Sequence, residues 1–285
     1  MKLDPLYRKG NHYAMTFAMS YNDSENYILP LSHDEVVHLK CSMVNKMPGY
    51  TADKYANLRV GYTYMFGHSG KKLLFMGQDF GQMDEWNEKA SLEWGLLKYD
   101  IHSQMKDYVK ALNHLYRTQP ALYKMDYEPE GFEWINCTYN DENIVIFERK
   151  TDKPEETLLF VCNFAPVEHE KFRLGVPFAG KYKEILNSDA KQFGGSGMVN
   201  PRVKMSKKEE WDTRKNSIAI NLAPMSVAVF SCTPYEEEPV TGKKKPAEKK
   251  KRPAKQPSVK IPASPLDVIS EKVGQIIKTA RESRH

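Results

Sequence analysis

The sequence predicts a mixed fold, an α/β segment followed by an all-β domain, and closes on a basic tail. Three observations carry this. Helical periodicity alternates with short apolar runs through the first 120 or so residues. Short β-rich runs separated by turn residues then follow to about residue 233. From about residue 240 the chain becomes rich in lysine and proline.

In the α/β segment, "YILPLS" (Tyr27 to Ser32) reads as a first strand. "TADKYANLRVGYTYMF" (Thr51 to Phe66) repeats Tyr55, Leu58, Tyr62 and Met65 at helical spacing, although it opens with Thr-x-x-Lys and not with a capping box. "KKLLFMG" (Lys71 to Gly77) predicts a short buried strand stopped by glycine, and Ser103 to Arg117 a second amphipathic helix through Met105, Val109, Leu112 and Leu115. In the second region, "FEWINCTY", "NIVIFERK", "TLLFVCNF", "YKEILNS", "SIAINL" and "SVAVFSC" predict strands of an antiparallel sandwich. "NDEN" (Asn140 to Asn143) supplies a hairpin turn and "FGGSG" (Phe193 to Gly197) a glycine loop. The expected boundaries are 1–122, 123–235 and 236–285, the last being a Lys/Pro-rich linker and one amphipathic helix through Leu266, Ile269 and Val273.

The net charge of +5 is unevenly placed: residues 243–285 hold 13 Lys/Arg against 4 Asp/Glu, so the body is mildly acidic. The tail has no aromatic platform, so nucleic acid is expected to meet it only through non-specific charge. No apolar run of membrane-spanning length exists and the first residues lack the apolar core of a signal peptide, so the expected address is the cytoplasm. Cys41, Cys137, Cys162 and Cys232 form no C-x-x-C pair, which predicts reduced thiols and neither a zinc knuckle nor a disulfide framework.

"LPLSHDEVVHLK" (Leu29 to Lys40) holds the candidate chemistry. His33 and His38 are five residues apart, so a helix would turn them about 140° from each other, and Pro30 opposes a helix there; the spacing argues against a zinc pair. His33 and Asp34 fall just past the C-terminal end of a strand, the place where parallel α/β barrels collect catalytic side chains. A carboxylate beside an imidazole there suits stabilisation of an oxocarbenium-like sugar transition state. The triplet alone equally fits a strand that ends in a polar turn.

The wider sequence resembles the glycogen (1,4-α-glucan) branching enzymes of the α-amylase superfamily. The resemblance runs through "LPLSHDEVVH", "KMPG", "ANLR", "GKKLLFMG", "FGQ", "EWN", "LNSDA", "GGSG" and "NLAPMSVAVF", in order, over about residues 3–233. It implies the last two strand–helix units of a (β/α)8 barrel followed by the C-terminal β domain. It also implies an α-glucan substrate, cut at an α-1,4 bond and transferred to a 6-hydroxyl. Asp34 is then the transition-state stabiliser, His33 a catalytic and substrate-binding residue, and Trp86 a weaker substrate-binding candidate in the loop after the eighth strand. No cofactor and no metal are implied.

The family's nucleophile and general acid/base come from earlier strands, with no counterpart here. The chain alone is therefore expected to be inactive, a C-terminal fragment or split half that works with a separate polypeptide carrying the N-terminal barrel half. The rival reading is a non-catalytic glucan-binding or regulatory protein. Leu39 and Cys41 stand where the family has glycines, and Gln78-Asp79 where it commonly has Gly-Glu, so the loop after Asp34 is expected to be strained or rebuilt.

Overall fold

The structure, a computed structural model, describes residues 1–22 and 24–235. The basic tail and its expected terminal helix lie outside the described residues.

The chain opens with short turns, among them the single helical turn α1 (Tyr13–Thr16). Strand β1 (Ile28–Leu31) then pairs in parallel with β2 (Lys71–Leu74), from Ile28 opposite Lys71 to Leu31 opposite Leu74. The crossover between them is α2 (Thr51–Gly67), and α3 (Asp100–Thr118) follows β2. Tyr55, Leu58 and Tyr62 of α2 are buried as their spacing predicts, but so are Asn57, Arg59 and Thr63. The helix is thus enclosed on more than one side, which its amphipathic spacing alone does not reveal. Its start is held by the Asp53 carboxylate, which accepts the Tyr50 N–H at 3.0 Å. In α3 one stripe is buried, through Met105, Tyr108, Val109, Leu112 and Leu115.

β1 and β2 are not the buried strands that their composition predicts. Ile28 is 59% and Leu73 41% exposed, because each strand has only the other as a ladder partner among the described residues. The Lys71 N–H donates to the Tyr27 carbonyl and the Phe75 N–H to that of Leu31, so Ile28 and Pro30 turn their main chains to the opposite, open edge.

The second half is antiparallel. β3 (Phe132–Tyr139), β4 (Ile144–Arg149), β5 (Leu158–Asn163), β7 (Gly180–Asn187), β8 (Lys204–Met205) and β10 (Ser226–Pro234) form one sheet in the order β3-β4-β5-β10-β7-β8. β6 (His169–Val176) and β9 (Asn216–Leu222) pair separately. Alternation along β4 sends Val145 and Phe147 into a core shared with α2 and α3, and Ile144 and Ile146 into a second core shared with β6 and β9. Both faces of the central strands are therefore apolar, which is why they read as unbroken apolar runs.

Two buried arginines tie the halves together. Arg149, on β4, donates to the last carbonyls of α2, Gly67 at 2.9 Å and His68 at 3.0 Å, and pairs with Asp126 at 3.0 Å. Lys71 and the Gly70 N–H complete the Asp126 shell at 2.9 and 3.1 Å. The Arg149 guanidinium thus acts as a C-terminal cap for α2. Near the start of the chain, Arg8 donates to the Phe164 carbonyl at 2.8 Å and to Asn57 Oδ1 at 2.5 Å, and reaches Met225 Sδ at 3.7 Å. No described helix is long and apolar enough to cross a membrane.

Candidate active-site turn

Past Leu31 the chain leaves the ladder at Ser32 and makes one tight turn over His33–Glu35. Pro30 and the extended Ser32 keep this segment from continuing into the strand or starting a longer helix. His33 Nε2 lies 3.3 Å from Asp34 Oδ1, and the Ser32 hydroxyl donates to Asp34 Oδ2 at 3.2 Å. The Asp34 side chain is 73% exposed. Glu35 turns away, pairing with the buried Lys46 ammonium at 3.2 Å and with Lys2 at 3.8 Å. Of the adjacent carboxylates, Glu35 is engaged in structural ion pairs and Asp34 faces solvent beside an imidazole.

The loop that follows has left-handed backbone at three non-glycine positions, His38 (φ 56°), Leu39 (φ 65°) and Cys41 (φ 65°). Leu39 and Cys41 are the two positions flagged by sequence, and each such residue costs about 1–2 kcal/mol. A carboxylate compensates: Glu85 accepts the Leu39 N–H at 3.0 Å and the Cys41 N–H at 2.7 Å. Successive main-chain N–H groups aimed at one anion form a nest, and here the protein fills it with its own side chain. Lys40 folds back to donate to the Asp34 carbonyl at 2.7 Å.

Glu85 and Trp86 together staple the loop after β2 to the loop after β1. The Trp86 N–H donates to the Val36 carbonyl at 2.9 Å, and its ring meets His33 edge-on with centroids 6.0 Å apart. Phe75 completes the cluster, 5.1 Å from Trp86 and 6.0 Å from His33. The structure thus brings His33, Asp34 and Trp86 together. Sequence reading did not anticipate the parts of Glu85, Phe75 and Lys40. A glutamate directly before the candidate tryptophan was the available signal, but its partners lie 46 and 44 residues away. Chemically the turn can offer one anionic oxygen, one imidazole and one aromatic edge on an open surface. Among the described residues no group of three or more His, Cys, Asp or Glu is placed to share a metal.

Residues 134–233 match the family model described as the α-amylase C-terminal all-beta domain. The 1,4-alpha-glucan branching enzyme GlgB of Butyrivibrio fibrisolvens is 58% identical over 230 residues, 81% of this chain and 36% of that protein. Its namesake from Oceanobacillus iheyensis is 45% identical over the same shares. Among solved structures, the α-amylase of Geobacillus thermoleovorans complexed with acarbose overlaps partially, with a TM-score of 0.49 and 12% identity over 78% of this chain and 43% of that one. The chain spans about a third of the length of the curated relatives it matches. It is related in sequence to the C-terminal portion of the 1,4-α-glucan branching enzymes of the α-amylase superfamily.

Proposed function

We propose that this chain is the Asp34-bearing C-terminal portion of a 1,4-α-glucan branching enzyme, working in the cytoplasm on an α-glucan. The observation that carries the reading is the His33–Asp34 pair, exposed at the end of a parallel strand in a chain 58% identical to a branching enzyme. β1–α2 and β2–α3 are then the seventh and eighth strand–helix units of a (β/α)8 barrel, residues 123–235 the C-terminal domain, and 236–285 a basic extension. The outer edges of β1 and β2, unpaired among the described residues, fit this, since a closed barrel pairs every strand on both sides. So does an apolar groove of about 560 Å³ beside β1 and α2, lined by Met15, Leu29, Leu31, Met47 and Met65. The nucleophile and the general acid/base belong to the first six units in this reading.

In such a site Asp34 sets a negative charge against the positive charge that grows at the anomeric carbon during cleavage and again during transfer. His33 donates to a hydroxyl of the sugar at the cleavage point, and the Trp86 edge fixes the imidazole plane. Glu85 keeps the intervening loop from collapsing across them. The reaction calls on no metal or organic cofactor.

The test is branch formation on amylose, followed by the fall in iodine-complex absorbance. The chain alone should be inactive, and mixed with a polypeptide supplying the first six units it should branch. Asp34→Asn preserves shape and removes charge, so it should lower turnover in that mixture at least about 10²-fold. Branching by the chain alone, or an undiminished Asp34→Asn mixture, refutes the reading.

A further inference from the structure

The loop after β1 is tied to the loop after β2 at both of its ends and at its middle. The Trp86 N–H holds the Val36 carbonyl at 2.9 Å, and Asn45 Nδ2 donates to the Met83 carbonyl at 2.8 Å. Between these ties Glu85 accepts the Leu39 and Cys41 N–H groups. Glu85 has a firm base of its own. Glu93 Oε2 accepts the N–H groups of Met83 and Asp84, both at 2.8 Å, immediately before Glu85 in the chain. Two carboxylates in series thus carry the position of the second loop over to the first, each through a pair of charge-assisted hydrogen bonds.

The residue between the two that Glu85 grips is Lys40, whose ammonium donates to the Asp34 carbonyl at 2.7 Å. Asp34 has little else to fix it. Its exposed carboxylate has only Ser32 and His33 as partners among the described residues. The left-handed backbone at Leu39 and Cys41 shows what the connection has to withstand. Residues with a Cβ resist that conformation, whereas the glycines that the branching-enzyme resemblance puts at both positions adopt it without strain. Released from Glu85, Leu39 and Cys41 relax toward ordinary backbone, and Lys40 moves with them.

We propose that Glu85 is a positioning residue for the reaction. It holds Leu39 and Cys41 in a conformation that glycine adopts unaided, and through Lys40 it fixes the turn that carries Asp34. The effect on turnover rests on the function proposed above. The coupling from Glu85 to the turn does not, since every residue in it belongs to this chain.

The experiment pairs Glu85→Gln with Leu39→Gly/Cys41→Gly. Glutamine keeps the shape but offers one acceptor oxygen and turns an NH2 group toward the second donor. In the full 285-residue chain, amide hydrogen exchange is followed by NMR at Glu35 and Val36, whose N–H groups close the turn onto the Ser32 and His33 carbonyls. Glu85→Gln should speed exchange there at least about threefold, although Glu85 touches neither residue, and the Gly/Gly background should abolish most of that change. In the reconstituted branching reaction Glu85→Gln should lower kcat at least about tenfold, with KM within about twofold. Adding the two glycines should bring kcat back to within about threefold of the starting chain. Lys40→Met cuts the connection one step later, so it should also slow turnover and speed exchange in the turn, and the glycines should not rescue it. Lys89→Ala removes an exposed cation from the same loop as Glu85 and should leave both readouts unchanged. If Glu85→Gln does not fold, the exposed Lys40→Met decides. A turn whose exchange ignores the folded variants overturns the coupling. An equal loss of turnover from Glu85→Gln in both backgrounds overturns the positioning role, since Glu85 would then act on the substrate and not on the loop. If no mixture branches, the starting chain included, the function proposed above fails and exchange in the turn still decides the coupling.

Discussion

Replacing Arg149 with methionine should be among the most damaging single changes in the β domain. The guanidinium is fully buried and donates to the carbonyls of Gly131, Gly67 and His68 and to the Asp126 carboxylate, all at 2.9–3.0 Å. Methionine keeps the stem volume and removes every donor. Asp126, 1% exposed at its side chain, then retains only Lys71 and the Gly70 N–H. Breaking a buried ion pair on one side costs about 3–5 kcal/mol, because the remaining charge is left without its partner. Against a total stability of about 5–15 kcal/mol, a loss near 4 kcal/mol lowers the melting temperature by roughly 8–16 °C in a domain of this size. The double variant Arg149→Met/Asp126→Asn removes the stranded charge as well, so it should recover at least about 1 kcal/mol of that loss. Equilibrium urea unfolding followed by tryptophan fluorescence measures both, provided the denaturant slope is unchanged. A loss under about 1 kcal/mol in the single variant, or strict additivity in the double, would show that the arginine does not act as a cap and counter-ion.

Two further outcomes follow from the same physics. Burial holds the pKa of His68 down to about 4, against the ordinary value of 6.5, with the nearby Lys72 and Arg149 charges adding to the effect. The unfolded chain therefore binds a proton that the folded one refuses in the window between those values. Stability is complete above about pH 6.5 and falls as pH drops toward 4, with His68 contributing up to about 1.4 kcal/mol per pH unit; His68→Phe should flatten the curve there, and an unaltered slope would refute the assignment. In the loop after Asp34, Leu39→Gly/Cys41→Gly relieves two left-handed residues. The gain is about 1 kcal/mol per position less about 0.5 for glycine's extra freedom, so the pair should stabilise by roughly 1 kcal/mol in a urea titration, and destabilisation would show that Glu85 has already absorbed the strain.

The sequence was most informative where one physical signal dominated. α2 and α3 followed from apolar spacing, and the central strands from unbroken apolar runs that only a sheet covered on both faces can accommodate. β6 escaped because its exposed half carries Glu170, Lys171 and Arg173, so its alternation is hidden in charge. The half-exposure of β1 and β2 was also missed, since composition reports what a strand can bury and not which neighbours are present. In the site, the position of His33 and Asp34 at a strand end and the strained glycine-replacing residues were legible. The staple made by Glu85 was not, because it depends on two loops meeting across more than 40 residues.

The contacts of Arg8 have a consequence for synthesis. Its partners Asn57, Phe164 and Met225 lie 49, 156 and 217 residues further along the chain. A ribosome adding roughly 5–20 residues per second needs some 10–40 seconds to deliver Met225 after Arg8 has emerged. Throughout that interval the guanidinium has no finished pocket, and α2 waits on β4 for its terminal cap and on β10 for the Val227 and Val229 side chains that close the shared core. The α/β half of this protein therefore cannot be completed in the order in which it is translated. Its last stabilising contacts arrive with the final strand of the β domain, so a chain cut short before residue 225 loses Met225 from the Arg8 pocket as well as the strand that closes the shared core.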